Sequence, residues 1–103
     1  MTDPVRDILL AFVRAHILHH AVAAPVYGAG MAEELGRHGY RIGPGTLYPL
    51  LHRLEQDGLL TCRPEVVGGK VRKYYVATGR GRKALEGLRP YLAELADELR
   101  PRD

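Results

Sequence analysis

Residues 43–58 constrain the fold more than any other stretch of this sequence. The stretch opens with Gly43-Pro44 and closes with Gly58. Proline is tolerated in the first turn of a helix and glycine commonly ends one, so this punctuation predicts a helix over residues 44–57. Leucines recur inside it at three- and four-residue spacing, at Leu47, Leu50, Leu51 and Leu54. The other side of this helix is polar, which predicts one face packed inward and one face toward solvent.

Three further helices are predicted from apolar residues at helical spacing, over residues 5–22, 29–38 and 79–100. Asp3, followed by proline, is suited to cap the first of these helices, and Thr78 is suited to cap the last. Each helix is followed by glycine or proline within a few residues, which marks its end.

Two strands are predicted between the third and the last helix, over residues 59–66 and 71–78, where β-favouring residues are frequent. Val67-Gly68-Gly69-Lys70 separates them, and paired glycines allow the positive φ of a tight hairpin. The order of elements predicts a mainly α fold with a small β hairpin. Three helices followed by a hairpin make a winged helix-turn-helix, in which the third helix faces outward and the hairpin is the wing.

Length and composition favour one compact folded unit, since the chain has 103 residues of which 46% are hydrophobic. Its net charge is only +3, but residues 63–83 contain seven basic residues and one acidic residue. A concentrated basic segment favours a surface that binds a polyanion such as nucleic acid. The alternative is a basic face that is merely solvated, and charge alone does not separate the two.

The last predicted helix carries a heptad-like row of leucines, which favours packing against a partner helix. The row consists of Leu85, Leu88, Leu92, Leu95 and Leu99. Pro90 lies within it and predicts a kink or a break. We therefore expect a winged helix-turn-helix over residues 1–78 and a C-terminal dimerisation helix over residues 79–103, together forming one compact unit. The alternative is that these leucines belong to the chain's own core.

The stretch from Gly43 to Glu55, GPGTLYPLLHRLE, resembles the recognition-helix signature of the PadR family of transcriptional regulators. The likeness continues through residues 57–60, and it extends over about residues 8–100. Further matching positions are Tyr27-Gly28 before the second helix, Gly69 and Arg72-Lys73-Tyr74-Tyr75 in the wing, and Thr78, Gly81 and Leu85 at the start of the last helix. The sequence departs from the family at Gly43, where serine or a similar residue is usual.

The resemblance implies a DNA-binding transcriptional regulator, more often a repressor, and not an enzyme. It implies a homodimer in which the C-terminal helix packs against the partner's first helix, where Phe12 is a candidate contact, and an operator that is an inverted repeat. It also implies a small aromatic or drug-like effector bound between the C-terminal helices and the core. Phe12, Tyr91 and the histidines of the first helix are the candidates for contacting it.

Residue chemistry assigns roles within the predicted DNA surface. Arg53 is suited to read guanine, with an ion pair to Glu55 or Asp57 as the alternative. The lysines and arginine of the wing suit backbone phosphates. Tyr48 and Tyr27 offer hydroxyls, with packing as the alternative for each. The full candidate set is Tyr27, Pro44, Gly45, Thr46, Tyr48, Pro49, His52, Arg53, Gly69, Lys70, Arg72 and Lys73.

His16, His19 and His20 form a possible set of metal ligands, because positions 16 and 20 share a helix face. No acidic residue or thiolate adjoins them in the sequence, so packed or surface histidines are the favoured interpretation, and neither a metal site nor a cofactor is predicted. Cys62 is interpreted as a small buried residue, with a redox switch as the alternative. No nucleophile–base arrangement is visible, which argues against an enzyme.

The apolar stretch from residue 8 to residue 26 is interrupted by Arg14 and three histidines, and the N-terminus lacks the basic segment of a signal peptide. We therefore expect a cytoplasmic protein with no membrane partner. Two alternative functions stay open. One is a winged-helix protein-interaction module without specific DNA binding, and the other is a metal-responsive regulator.

Overall fold

The computed structural model describes residues 3–101, which form four helices and three strands. The helices are α1 (Pro4–Ala23), α2 (Gly28–Arg37), α3 (Pro44–Gln56) and α4 (Gly79–Leu99), and the strands are β1 (Val26–Tyr27), β2 (Leu60–Val67) and β3 (Lys70–Ala77). The predicted helices and hairpin are confirmed to within one residue at each end. Residues 1–2, which begin the first predicted unit, and residues 102–103, which end the second, lie outside the described residues.

The two predicted helix caps are present. The Asp3 carboxylate accepts a hydrogen bond from the backbone N–H of Val5 at 3.0 Å. The Thr78 hydroxyl accepts from the N–H of Gly81 at 3.0 Å and donates to the carbonyl of Gly58 at 2.6 Å. A Cβ on Gly81 would lie 2.1 Å from the carbonyl oxygen of Leu59, so only glycine allows α4 to start this close to the turn that follows α3.

The sheet is antiparallel in the order β1-β3-β2. Gly68 and Gly69 adopt the positive φ values of 59° and 80° at the hairpin turn, which confirms the predicted role of the glycine pair. The two-stranded prediction was incomplete, because β1 pairs with β3 through Val26↔Tyr75 and Tyr27↔Tyr74. A strand of two residues is too short to show alternation in a sequence.

The core forms where α1, α2 and α3 pack together and the sheet and the start of α4 cover them. Its buried residues are Val13, Ile17, Leu18, Ala21, Met31, Leu35, Leu47, Leu51, Leu54, Leu60, Tyr75 and Leu85. Leu85 is only 5% exposed and thus belongs to the core of the chain itself, whereas the sequence placed it in the dimerisation row. Cys62 is half-buried beside this core.

The rest of α4, from residue 86 onward, is exposed along its whole described length. The helix is continuous through Pro90, so of the kink or break predicted there the break is absent. Proline removes the hydrogen bond back to the carbonyl of Glu86, but both residues are exposed and water can satisfy that carbonyl. None of the described helices combines the length and apolar character required to cross a bilayer.

Candidate DNA-binding surface

Helix α3 is held by its leucine face and presents its polar face outward. Leu47, Leu51 and Leu54 are at most 4% exposed, which anchors the helix in the core. On the other side, Pro49, His52 and Arg53 are exposed, as is Tyr48 at 43%. The buried stripe therefore fixes the position of the helix while leaving the predicted DNA-contacting side chains accessible.

A groove of about 550 Å³ separates α3 from the β2–β3 hairpin. Gly28 and Ala29, at the start of α2, also line it. Six of the predicted DNA-binding residues line this groove: Tyr27, Tyr48, His52, Lys70, Arg72 and Lys73. Residues that are far apart in the sequence thus share one surface, with a polar helix face on one side and a basic wing on the other.

The Tyr48 ring packs on the first turn of α2. A Cβ on Gly28 would lie 2.4 Å from the Tyr48 hydroxyl oxygen and 2.6 Å from two ring carbons, so glycine is what lets the ring lie there. Tyr48 therefore combines the two roles considered for it, since the ring packs between two helices while 43% of the residue stays exposed.

Arg72 is held in place from two sides. Its guanidinium carbon lies 4.1 Å from the centroid of the Tyr27 ring, and Nη1 donates a hydrogen bond to the Tyr74 hydroxyl at 3.4 Å. That hydrogen bond raises the pKa of Arg72. The rings of Tyr27 and Tyr74 meet edge to face at 5.5 Å. Arg72 thus ties the wing to β1, and Tyr74 is a supporting residue that the predicted set did not include.

Lys70 and Lys73 differ from Arg72 because both are exposed. Lys70 lies at the start of β3, beside the turn glycine Gly69, and Lys73 faces Pro64 across the hairpin. Their ammonium groups are free to reach a phosphate backbone that passes the wing.

The N-terminal end of α3 is open. Gly43 supplies no side-chain cap bond, Pro44 occupies the first helical turn, and a Cβ on Gly45 would meet no atom within 4 Å. A guanidinium nitrogen of Arg6 donates to the Thr46 hydroxyl oxygen at 3.4 Å. Arg6 therefore adds positive charge where the helix dipole is already positive. No sequence pattern predicts this contact, because Arg6 lies forty residues earlier in the chain.

The ion pair considered as an alternative for Arg53 is present in the structure. Its Nε lies 3.7 Å from a carboxylate oxygen of Asp57, one helical turn later. Both side chains are exposed, and exposed pairs of this kind contribute little to stability. The pair is weak enough to open when a stronger partner for the guanidinium arrives.

Comparisons with known proteins show which family has this sequence and fold. Residues 17–87 match the model of the transcriptional regulator PadR-like family. The chain is 55% identical over 95 residues to transcriptional regulator Rv3488 from Mycobacterium tuberculosis. The aligned region covers 92% of this chain and 89% of that protein.

Two solved structures are similar throughout. A PadR-like transcription factor from Bacteroides fragilis is 31% identical with a TM-score of 0.79, covering 94% of this chain and 96% of that one. A PadR-like transcriptional regulator from Bacillus cereus is 26% identical with a TM-score of 0.82, covering 90% and 92%. Family members are transcriptional regulators and not enzymes. The chain belongs to the PadR-like family of transcriptional regulators.

Proposed function

We propose that this chain is a sequence-specific DNA-binding repressor that acts in the cytoplasm as a homodimer and is released from its operator by a small-molecule effector. The observation that carries the proposal is the groove shared by the polar face of α3 and the basic wing. A buried leucine stripe fixes α3 from behind, which is what a helix needs if it is to present side chains to a major groove.

The candidate residues have different roles in DNA binding, according to their chemistry. Arg53 and His52 project from the exposed face of α3 and are placed to reach base edges, and Arg53 suits bidentate pairing with guanine. Lys70 and Lys73 hold phosphates and position the protein without reading sequence. The open end of α3 with Thr46, and Arg6 beside it, supplies a second phosphate contact.

Dimer formation is supported by the apolar side chains that the chain leaves uncovered. Phe12 in α1 is exposed, as are four leucines and a tyrosine in α4: Leu88, Tyr91, Leu92, Leu95 and Leu99. Packing α4 against a second copy would remove this surface from water. A symmetric dimer would present two α3 helices to half-sites about 34 Å apart, so the operator should be an inverted repeat.

Effector release is supported by a cleft of about 400 Å³ between α1 and α4. His16 and His19 line it together with Leu85, Arg89 and Leu92. Of the candidates for contacting an effector, His16 and His19 line this cleft, whereas His20, Phe12 and Tyr91 do not. A ligand bound there would contact both helices of the proposed dimer interface and could change how they pack.

The proposal is tested by fluorescence anisotropy with DNA from directly upstream of the chain's own gene and with unrelated DNA, at two salt concentrations. We expect at least about a thousandfold preference for the upstream DNA, and weaker binding to both DNAs at higher salt. No binding to either DNA at low salt would contradict the proposal and favour the protein-interaction module.

Variants make the same experiment specific to the wing. Lys70→Ala with Lys73→Ala removes two exposed wing charges but leaves the Arg72–Tyr27 contact intact. Arg82→Ala with Lys83→Ala removes the same charge from exposed positions of α4 and serves as the matched control. The wing variant should lower affinity for all DNA sequences and flatten the salt dependence, and the control should change neither by as much.

A further inference from the structure

Three histidines from two separate segments of the sequence lie close together in the structure. His16 and His20 lie one turn apart on α1, and His38 caps the end of α2. One ring nitrogen from each can be chosen so that all three atoms lie within 4.8 Å of one another. The ring centroids of His16 and His38 are 5.0 Å apart, and those of His20 and His38 are 5.8 Å apart.

A carboxylate completes the cluster. Oε1 of Glu34 lies 3.5 Å from Nε2 of His38 and 3.8 Å from Nε2 of His20. The other carboxylate oxygen, Oε2, accepts a hydrogen bond from Arg37, which also binds Glu33 at 3.0 Å. Arg37 thereby turns Oε1 toward the histidines. Although burial acts to raise the pKa of Glu34, Arg37 and the two histidines outweigh it, and the pKa is lowered.

One nitrogen of the cluster is shielded from solvent and has no hydrogen-bond partner among the described residues. This atom is Nε2 of His20, and Oε1 of Glu34 is too far away for a hydrogen bond to it. A buried polar atom without a partner is unfavourable and calls for an explanation. A bound ion between the rings would satisfy it.

We propose that His16, His20, His38 and Glu34 bind a divalent transition-metal ion, with Zn²⁺ as the first choice. Three imidazole nitrogens and one carboxylate oxygen are a typical ligand set for zinc, whereas Ca²⁺ and Mg²⁺ prefer oxygen ligands. Zinc bonds of about 2.0–2.1 Å in a tetrahedron place ligand atoms about 3.3 Å apart. The carboxylate is already close to that separation from two histidines, and the three nitrogens, which lie within 4.8 Å of one another, would move closer together on binding.

The protonation states also suit metal binding. Burial, together with the other histidines, lowers the pKa of His16, and burial lowers the pKa of His20 against the opposing charge of Glu34. A lowered pKa favours the neutral form of both rings, which is the form that coordinates a metal.

A metal ion bound at this cluster would act on the turn between α2 and α3. His38 directly precedes Gly39, whose φ of 90° turns the chain toward α3, and the ring of Tyr40 in this turn lies 5.2 Å from that of His16. A metal ion would therefore clamp the turn between α2 and α3 to α1. Any effect of this clamp on DNA binding rests on the proposed function, but the metal site itself does not.

The test uses untagged full-length protein, stripped of metal by a chelator and then titrated with Zn²⁺ against a chromophoric competitor, without DNA. We expect one Zn²⁺ per chain and a higher thermal unfolding temperature with the metal bound. His38→Gln and Glu34→Gln change groups at the surface end of the cluster, so both variants should stay folded by circular dichroism. We expect each to weaken Zn²⁺ binding by at least about tenfold.

His19→Gln is the matched control. His19 is an exposed histidine on the same helix, with its ring 5.1 Å from that of His20, but it lies outside the cluster. It should bind Zn²⁺ as the unchanged protein does. Absence of saturable one-to-one binding, or an equal loss in His19→Gln and His38→Gln, would overturn the proposed site. Because no DNA is present, this result stands apart from failure of the proposed function.

Discussion

Helices α3 and α4 carry leucines at the same three- and four-residue spacing, and each contains an internal proline, but their surroundings are opposite. Leu47, Leu51 and Leu54 of α3 are at most 4% exposed. In α4 the leucines that follow Leu85 are 37% to 72% exposed. The same pattern thus predicts an apolar face in both helices. The rest of the chain covers the leucine face of α3 but leaves that of α4 beyond Leu85 exposed, so only the α4 face is available to a partner helix.

The largest effect is expected at the covered face. Leu51→Ala should lower the free energy of unfolding by about 2–5 kcal/mol, because it removes a fully buried side chain and leaves a cavity. Denaturant unfolding followed by circular dichroism measures the loss. Leu51→Met keeps the volume and should cost less than about 1.5 kcal/mol. A similar loss of unfolding free energy in both variants would contradict the conclusion that this face of α3 is tightly packed.

The internal proline of α4 should have the next largest effect. Pro90→Ala restores the backbone N–H that can bond to the carbonyl of Glu86, and in an exposed helix this should stabilise by up to about 3 kcal/mol. Circular dichroism should show more helix and a higher unfolding temperature. A lower temperature would mean that proline at this position serves the packing of α4.

The uncovered face should matter for association more than for the fold of the chain. Leu92→Lys together with Leu95→Lys is expected to raise the dissociation constant of the dimer at least about tenfold, which corresponds to about 1.4 kcal/mol. Analytical ultracentrifugation over a range of concentrations tests this. Glu94→Gln, on the same exposed helix, is the control and should leave the dimer unchanged. A monomeric protein before substitution would contradict the comparison directly.

The smallest effect on stability is expected on the outer face of α3. Arg53→Ala removes only an exposed ion pair, so the free energy of unfolding should change by less than about 0.5 kcal/mol. Affinity for the operator should nevertheless fall by about 1–3 kcal/mol, with relaxed preference at one base pair. Asp57→Ala breaks the same ion pair and keeps the guanidinium, and it should retain operator binding.

Much of the candidate DNA-binding surface could be predicted from the sequence because its parts are local. Helix α3, its glycine and proline boundaries and the glycine turn of the hairpin each lie within a short segment, and each was confirmed as an element of structure. What the sequence missed are contacts between distant segments. Arg6 reaches Thr46 across forty residues, and Tyr74 supports Arg72 only because β1 joins the sheet. Neither contact leaves a periodic signal.

The histidines show the same limit. His16 and His20 are visible as a pair on one helix face, but their setting depends on Glu34 and His38, which come from another helix. No acidic residue adjoins the histidines of α1 in the sequence, but Glu34 lies close to His20 in the folded chain. Helix packing decides which side chains surround a partly buried ring, and single-segment patterns do not contain that information.

The sequence by itself determined the order, type and bounds of the helices and of the wing, and through its recognition-helix signature it determined the family. It could do so because helix periodicity, caps and turn glycines act over a few residues. Only the tertiary structure decided that Leu85 is core while Leu92 is surface, that β1 completes the sheet, and that two residues of α1 meet Glu34 and His38 at the end of α2. Burial and proximity depend on which surfaces the folded chain has available to cover one another, and that is a property of the whole molecule.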